Sequence, residues 1–225
     1  TVFERLRPHY VVHLAANVGG LFKNMNNPVS MLEDNLTINT NVLRACHKTN
    51  VEKVLACLST CIFPDGLESI TEEQLMDGAP HPSNAPYAHA KRILDVQCDA
   101  YNKISNTLFI TCAPTNVYGP HDNFDPNSSH VIPALIKKCV DSIEQGKNEI
   151  VVWGTGNPSR EFIYAEDAAE DAEDGEDAED AREGSVRAAR LGRQRGQRGQ
   201  KGGKRKGEKG EKGEKGEKGE KGEKG

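Results

Sequence analysis

Short, continuously apolar runs alternate along most of the chain with longer stretches in which apolar residues return every three or four positions. Tyr10-Val11-Val12-His13-Leu14-Ala15-Ala16 is rich in β-branched residues and reads as a buried parallel strand. Val54-Leu55-Ala56-Cys57-Leu58 reads as a second strand, and residues 107–113 as a third. Residues 28–50 carry Met31, Leu32, Leu36, Ile38, Val42, Leu43 and Cys46 at helical spacing. Residues 86–103 do the same, with Ile93, Leu94, Val96, Cys98 and Tyr101 expected toward the core, and residues 131–145 form a third helix. Residues 1–7 read as the end of a helix stopped by Pro8, residues 149–153 as a short strand and residues 160–164 as an extended segment. Asn17-Val18-Gly19-Gly20 reads as a small polar turn. Alternation of strand and helix predicts an α/β parallel sheet with right-handed crossovers. Such sheets bind ligands beyond the C-terminal ends of their strands. Two polar clusters fall there, Ser59-Thr60-Cys61 and Pro114-Thr115-Asn116-Val117-Tyr118-Gly119.

The pattern stops near Tyr164, and composition changes with it. All six Cys, all seven His, the single Trp and every Phe and Tyr precede residue 165. The predicted organisation is therefore a folded domain over residues 1–164 and a low-complexity charged tail over 165–225. The first part holds 17 acidic and 13 basic residues and the second 17 and 16, the sum being the 34 and 29 of the whole chain. Neither balance is that of a nucleic-acid surface. The tail passes from an Ala/Asp/Glu stretch through a basic Gly/Gln run to uninterrupted Gly-Glu-Lys repeats over residues 207–225. Gly at every third position raises a collagen triple helix, but the tail has no Pro to stiffen one, so solvated disorder is expected. The Cys residues at 46, 57, 61, 98, 112 and 139 show no C-x-x-C pair and no metal-ligand spacing. They predict reduced, buried thiols, no metal and a cytoplasmic location. No apolar run has the length of a membrane span.

Candidate chemistry centres on Tyr87-Ala88-His89-Ala90-Lys91, preceded by Pro86. Pro suits the first turn of a helix, and Tyr87 and Lys91 then sit one turn apart on one face. An ammonium beside a phenol favours the phenolate and lets a proton move near neutral pH, as carbonyl reduction requires. The spacing also arises by chance on ordinary exposed helices, so it needs support. His13, on a strand, reads as structural, and His121 as a loop residue or a site contact.

With Ser59 at a strand end, the set Ser59, Tyr87 and Lys91 resembles the Ser-Tyr-Lys constellation of the extended short-chain dehydrogenase/reductase family. Longer segments carry the resemblance further: Leu58-Ser59-Thr60-Cys61-Ile62-Phe63-Pro64, Pro114-Thr115-Asn116-Val117-Tyr118-Gly119-Pro120-His121-Asp122-Asn123-Phe124, Ser129-His130-Val131-Ile132-Pro133 and Val152-Trp153-Gly154-Thr155-Gly156-Asn157-Pro158-Ser159-Arg160. They are similar to the branch of that family that epimerises and reduces GDP-4-keto-6-deoxy-D-mannose with NADPH; other nucleotide-sugar epimerases or dehydratases of the same fold are the alternative, as is a non-catalytic chimera with a collagen-like tail. The resemblance implies a Rossmann-like doubly wound sheet and a homodimer through the helices carrying Met31 to Cys46 and Tyr87 to Tyr101. It implies that Tyr87 protonates the sugar O4, that Lys91 tunes Tyr87 and holds the nicotinamide ribose, and that Ser59 hydrogen-bonds the carbonyl. Cys61 and His130 would be the acid/base pair for epimerisation at C3 and C5. Cys57, Leu58, Ser59, Thr60, Lys91, Pro114, Thr115, Asn116, Val117 and His130 would line the NADP site, and Lys138, Trp153 and Arg160 would hold the GDP-sugar.

The chain departs from that pattern at both ends. No Gly-x-x-Gly-x-x-Gly precedes Tyr10, and family-like sequence stops near Asp167. The expectation is an incomplete Rossmann-like domain lacking its first strands, with the catalytic centre present and NADP bound weakly or not at all.

Overall fold

The computed structural model describes residues 2–67, 70–125, 128–152, 154–157 and 159–174. Trp153, the basic run and the Gly-Glu-Lys repeats, with the disorder and triple-helix readings attached to them, lie outside these residues.

Helix α1 (Val2–Leu6) leads into strand β1 (Tyr10–His13), a short helix α2 (Leu21–Asn26) and the long helix α3 (Pro28–Lys48). Strand β2 (Lys53–Cys57), helix α4 (Ala85–Asn102) and strand β3 (Leu108–Cys112) complete the first sheet, in the order β1-β2-β3 and parallel throughout. Two alternating rows of side chains result from the register. Val11, Val54 and Phe109 stand side by side, as do His13, Ala56 and Thr111. These rows lie under the helices: Val54, Ala56 and Phe109 are fully buried with Leu43 and Cys46 of α3 and Leu94 and Cys98 of α4. Each such aliphatic or aromatic side chain contributes about 1.5–3 kcal/mol by leaving water. The opposite row, Val12, Leu55 and Ile110, begins in solvent, Val12 being 61% exposed.

The stripe by which α3 meets the sheet is Met31, Asn35, Asn39, Leu43 and Cys46. Two of its five members are amides, which apolar periodicity passes over. Burial of an amide is tolerable only when it is hydrogen-bonded. Asn35 donates to the carbonyls of Met31 (2.7 Å) and Asn17 (3.0 Å) and accepts from the Asn17 amide (3.0 Å). Asn39 Oδ1 lies 3.0 Å from His13 Nε2, while its Nδ2 is buried without a partner. This pairing bears out the structural reading of His13. On α4 the buried residues are Ala88, Ala90, Lys91, Arg92, Leu94 and Cys98. Ile93 and Val96, expected in the core, face outward, because the sheet takes the Tyr87–Lys91–Leu94–Cys98 side of the helix.

Beyond β3 the chain forms a second, two-stranded parallel sheet from β4 (Asn116–Tyr118) and β5 (Phe162–Tyr164), with helix α5 (Val131–Glu144) between them and α6 (Ala165–Asp174) after. The expected strand at 149–153 does not form over residues 149–152, which pair with no strand and leave Val151 71% exposed. Helix α6 falls in the stretch read from the sequence as the start of the tail. Its first residue packs on β4's exit: a Cβ at Gly119 would meet the Ala165 Cβ at 2.9 Å. Gly119 is the residue that lets the two backbones approach.

Candidate active site

The C-terminal ends of β2 and β3 open into a cavity of about 670 Å³. Ser59, Thr60 and Cys61 form one side of its lining and Thr115, Asn116, Arg160 and Glu161 another. Ser59, extended at φ −164°, caps the 3-10 turn Thr60–Ile62, its hydroxyl accepting from the Cys61 amide at 3.5 Å. Two consecutive cations of α4 fasten this loop to the helix. Lys91 Nζ donates to the Cys57 carbonyl (2.6 Å) and Arg92 Nε to the Ile62 carbonyl (2.6 Å). The segment from Cys57 to Ile62 is thus held at both ends, and Leu58 N adds a 2.7 Å bond to the Cys112 carbonyl. Arg92 is an element of the site that sequence reasoning missed. Its only signal was position, next to Lys91 on a helix whose inner face is otherwise apolar.

Pro86 occupies the first turn of α4 and sets the register that puts Tyr87 and Lys91 on the sheet-facing side. Lys91 is 2% exposed, with Nζ above the Tyr87 ring at 5.9 Å from its centroid. Burial lowers the Lys91 pKa, opposed by the neighbouring Cys57, Cys61 and Cys112. Tyr87 departs from expectation: its pKa lies above the ordinary phenol value, first because it is buried and then because of Cys61 and Cys57. The Lys91 ammonium faces the ring and gives a hydrogen to Cys57, so desolvation dominates at the phenol. Cys61 is likewise pushed up by burial, against the Ser59 hydroxyl and the charges of Lys91 and Arg92. Both groups therefore stand as neutral proton donors.

The expected site residues divide into three sets. Ser59, Thr60, Cys61, Thr115, Asn116 and Arg160 line the cavity together. Cys57, Leu58, Tyr87 and Lys91 form the packed layer behind it, with Pro114 leading into Thr115. His130 and Lys138 are not in the lining: His130 is the N-cap of α5, and Lys138 donates to the Val151 carbonyl at 2.8 Å. Val117 sits in β4, 39% exposed. The lining also holds Asp65, His81, Asn84 and Glu161, which the sequence did not single out. Glu161 and Arg160 arrive through the β4–β5 pairing, where Asn116 Nδ2 donates to the Glu161 carbonyl at 2.8 Å. No local pattern announces a three-residue parallel pair. Among the described residues there is no His/Cys/Asp/Glu group fit to hold a metal, and no helix is long and apolar enough to cross a membrane. All six cysteines are free; Cys139 is exposed rather than buried, because α5 turns that side to solvent.

Two polar atoms of the lining are buried without a partner, Thr115 Oγ1 and Asn84 Oδ1. Orphaned polar atoms of this kind cost about 1–3 kcal/mol each unless a ligand or water completes them. With Ser59 in the same lining, they fit the hydroxyl- and amide-rich nicotinamide-ribose end of a dinucleotide.

Parallel strands with intervening helices, and a Tyr/Lys pair behind a polar cavity at their C-terminal ends, define an α/β protein of the Rossmann-like class. More narrowly, the chain belongs to the NAD dependent epimerase/dehydratase family, whose sequence profile matches residues 1–171. It is 47% identical over 169 residues to the GDP-L-fucose synthase of Dictyostelium discoideum, covering 75% of this chain and 52% of that protein. The probable GDP-L-fucose synthase of Drosophila melanogaster is 46% identical over 176 residues, with 75% and 55% covered. Among solved structures, the GDP-L-fucose synthetase of Naegleria fowleri bound to NADP superposes with a TM-score of 0.71 at 48% identity, over 76% of this chain and 56% of that one. The chain spans about half the length of the curated relatives it matches. The family match runs into α6, past the boundary expected at residue 164.

Proposed function

We propose that the protein is an NADP-dependent GDP-L-fucose synthase, which epimerises GDP-4-keto-6-deoxy-D-mannose at C3 and C5 and then reduces it at C4. The observation that carries this reading is the packing of Cys61 and Ser59 beside the Tyr87/Lys91 pair. It brings a thiol acid for carbon and a phenol acid for oxygen into one site. The names of the relatives support the same substrate and the same cofactor.

The C3 and C5 protons are acidified by the adjacent 4-keto group and leave through an enolate. Ser59 donates a hydrogen bond to the O4 that gathers the negative charge. Cys61, kept protonated by burial, returns a proton to carbon on one face. His130, which the resemblance pairs with Cys61, would take the opposing role, although it does not line the cavity here. In the reductive step Tyr87 delivers its proton to O4 as charge builds there. Lys91 and Thr115 would hold NADPH, which when bound supplies the hydride for C4. Arg160 and Lys138, with Trp153, would hold the GDP moiety, a diphosphate being well matched to guanidinium and ammonium groups.

Epimerisation needs no reductant, so it tests the site by itself. Protein incubated with GDP-4-keto-6-deoxy-D-mannose in deuterium oxide should place deuterium at C3 and C5, read by NMR, and NADPH added afterwards tests the reductive step separately. Cys61→Ser should slow the exchange far more than the reduction of sugar already epimerised. Recovery of undeuterated sugar would refute the assignment. Assembly as a homodimer belongs to the same proposal and is supported by the outward apolar residues of α4, Ile93 and Val96, 39% and 53% exposed. Light scattering after size exclusion decides it. A reducing, cytoplasmic setting is supported by the six free cysteines.

A further inference from the structure

Cys57 and Cys112 close adjacent parallel strands, and the register sets them directly opposite each other. Their sulfurs are 3.4 Å apart. Neighbouring strands run about 4.8 Å apart, and cystine bridges span Cα separations of about 4.4–6.8 Å. The sulfurs need approach by only about 1.4 Å to reach bonding distance. We propose that Cys57 and Cys112 are a redox-active dithiol that peroxide converts reversibly to a cross-strand disulfide. The inference stands on this geometry alone and goes beyond the proposed synthase activity.

The environment assigns the two sulfurs different roles. Cys57 is half-buried, and its pKa is lowered by the hydrogen bond from Cys112 and by the Lys91 charge, against its burial. Cys112 is 2% exposed, and its pKa is raised by that same hydrogen bond and by burial. With Cys112 as the donor of that hydrogen bond, Cys57 is the more readily ionised sulfur of the pair and the one that attacks as its thiolate. The Cys57 thiolate attacks one peroxide oxygen; an S–O bond forms, the O–O bond breaks, and the hydroxide that leaves takes up the proton the Cys57 thiol gave to solvent, making water. The Cys112 sulfur then displaces hydroxide from the Cys57 sulfenic acid, and its own proton joins that hydroxide as a second water. Two thiols and one hydrogen peroxide give one disulfide and two waters. The remaining core thiols serve as controls: burial pushes Cys46 up to about 11 and raises Cys98 as well. Cys57 lies two residues before Ser59 and Cys112 three before Thr115, so the bond would fasten together the two loops that line the cavity.

The test is to treat the native chain with hydrogen peroxide, block free thiols with iodoacetamide after unfolding, digest it and read the peptides by mass spectrometry. A Cys57–Cys112 linked peptide, two hydrogens lighter than its parts and lost on dithiothreitol treatment, is expected, with Cys46 and Cys98 recovered alkylated. In Cys112→Ser and Cys112→Ala, each checked for native circular dichroism, the link should vanish and Cys57 should instead take up dimedone as a trapped sulfenic acid. Recovery of both Cys57 and Cys112 as alkylated thiols would overturn the proposal. So would a Cys57–Cys61 link in place of Cys57–Cys112, or the absence of dimedone on Cys57 in both variants.

Discussion

The two walls of the cavity are both built at strand ends, yet they are held in different ways. The wall made by β2 and α4 rests on the main core: Val54, Phe109 and Leu94 lie beneath it, and Lys91 and Arg92 fasten its loop to the helix by backbone carbonyls. The wall made by β4, β5 and the residues before them rests on a three-residue ladder and a small cluster around Cys112 and Ile163. Its Arg160 and Asn116 are exposed, and its Thr115 hydroxyl is buried without a partner. The first wall places its groups before any ligand arrives, as proton transfer to a developing charge requires. The second presents groups whose bonding a ligand would complete. On the function proposed above, chemistry belongs to the packed side and recognition to the open one.

That division can be broken by experiment. Where sugar reduction is catalysed, Tyr87→Phe should lower its rate by about 10²–10⁴-fold while leaving the fold intact, since one general acid contributes that much. NADPH oxidation and circular dichroism measure the two. Phe109→Ala should cost about 3–5 kcal/mol of unfolding free energy in urea titration, because it empties the core under the first wall. Arg160→Ala, on the second wall, should raise KM for the GDP-sugar about tenfold with little change in kcat, and shift stability by no more than about 0.5 kcal/mol. A large stability loss from Arg160→Ala would show that the second wall is structural after all.

The smallest effect concerns His13. Burial lowers its pKa, with the Lys91 charge adding to the shift and the Asn39 bond opposing it. Below about pH 6.5 the unfolded chain therefore binds a proton that the native state refuses. Stability should fall as pH drops from there toward the lowered native value, with a slope of at most about 1.4 kcal/mol per pH unit. His13→Asn should flatten that slope in urea titrations at successive pH values; an unchanged slope would place the proton elsewhere.

The first wall was legible in the sequence because its determinants are local and periodic. Apolar runs marked β1, β2 and β3, Pro86 fixed the start of α4, and Ser59 and Cys61 followed directly from the end of β2. The second wall was not. β4 lies inside what reads as a loop, and β5 acquires its partner only through a contact 45 residues away in sequence. The apolar residues 150–152, conversely, have the composition of a strand but no neighbour to pair with. Within the first sheet, Asn35 and Asn39 were invisible as core residues. Their burial depends on acceptors and donors supplied by Met31, Asn17 and His13, which hydropathy does not weigh. Helix α6 is rich in Ala and acidic residues, and it looked like tail until Gly119 and Ile163 gave it a surface to lie on.

The ladder between β4 and β5 has a kinetic consequence. Three residue pairs keep closed a loop that spans 45 residues between Asn116 and Glu161, and the entropy of that closure must be met before any contact across it forms. β2 and β3 close a comparably long loop, but Phe109, Val54 and the α4 side chains reward the closure at once. The recognition wall is therefore expected to assemble after the first sheet and to open before it. Amide hydrogens of Val117 and Ile163 should exchange through local opening, while those of Val54 and Phe109 wait for the whole chain to unfold.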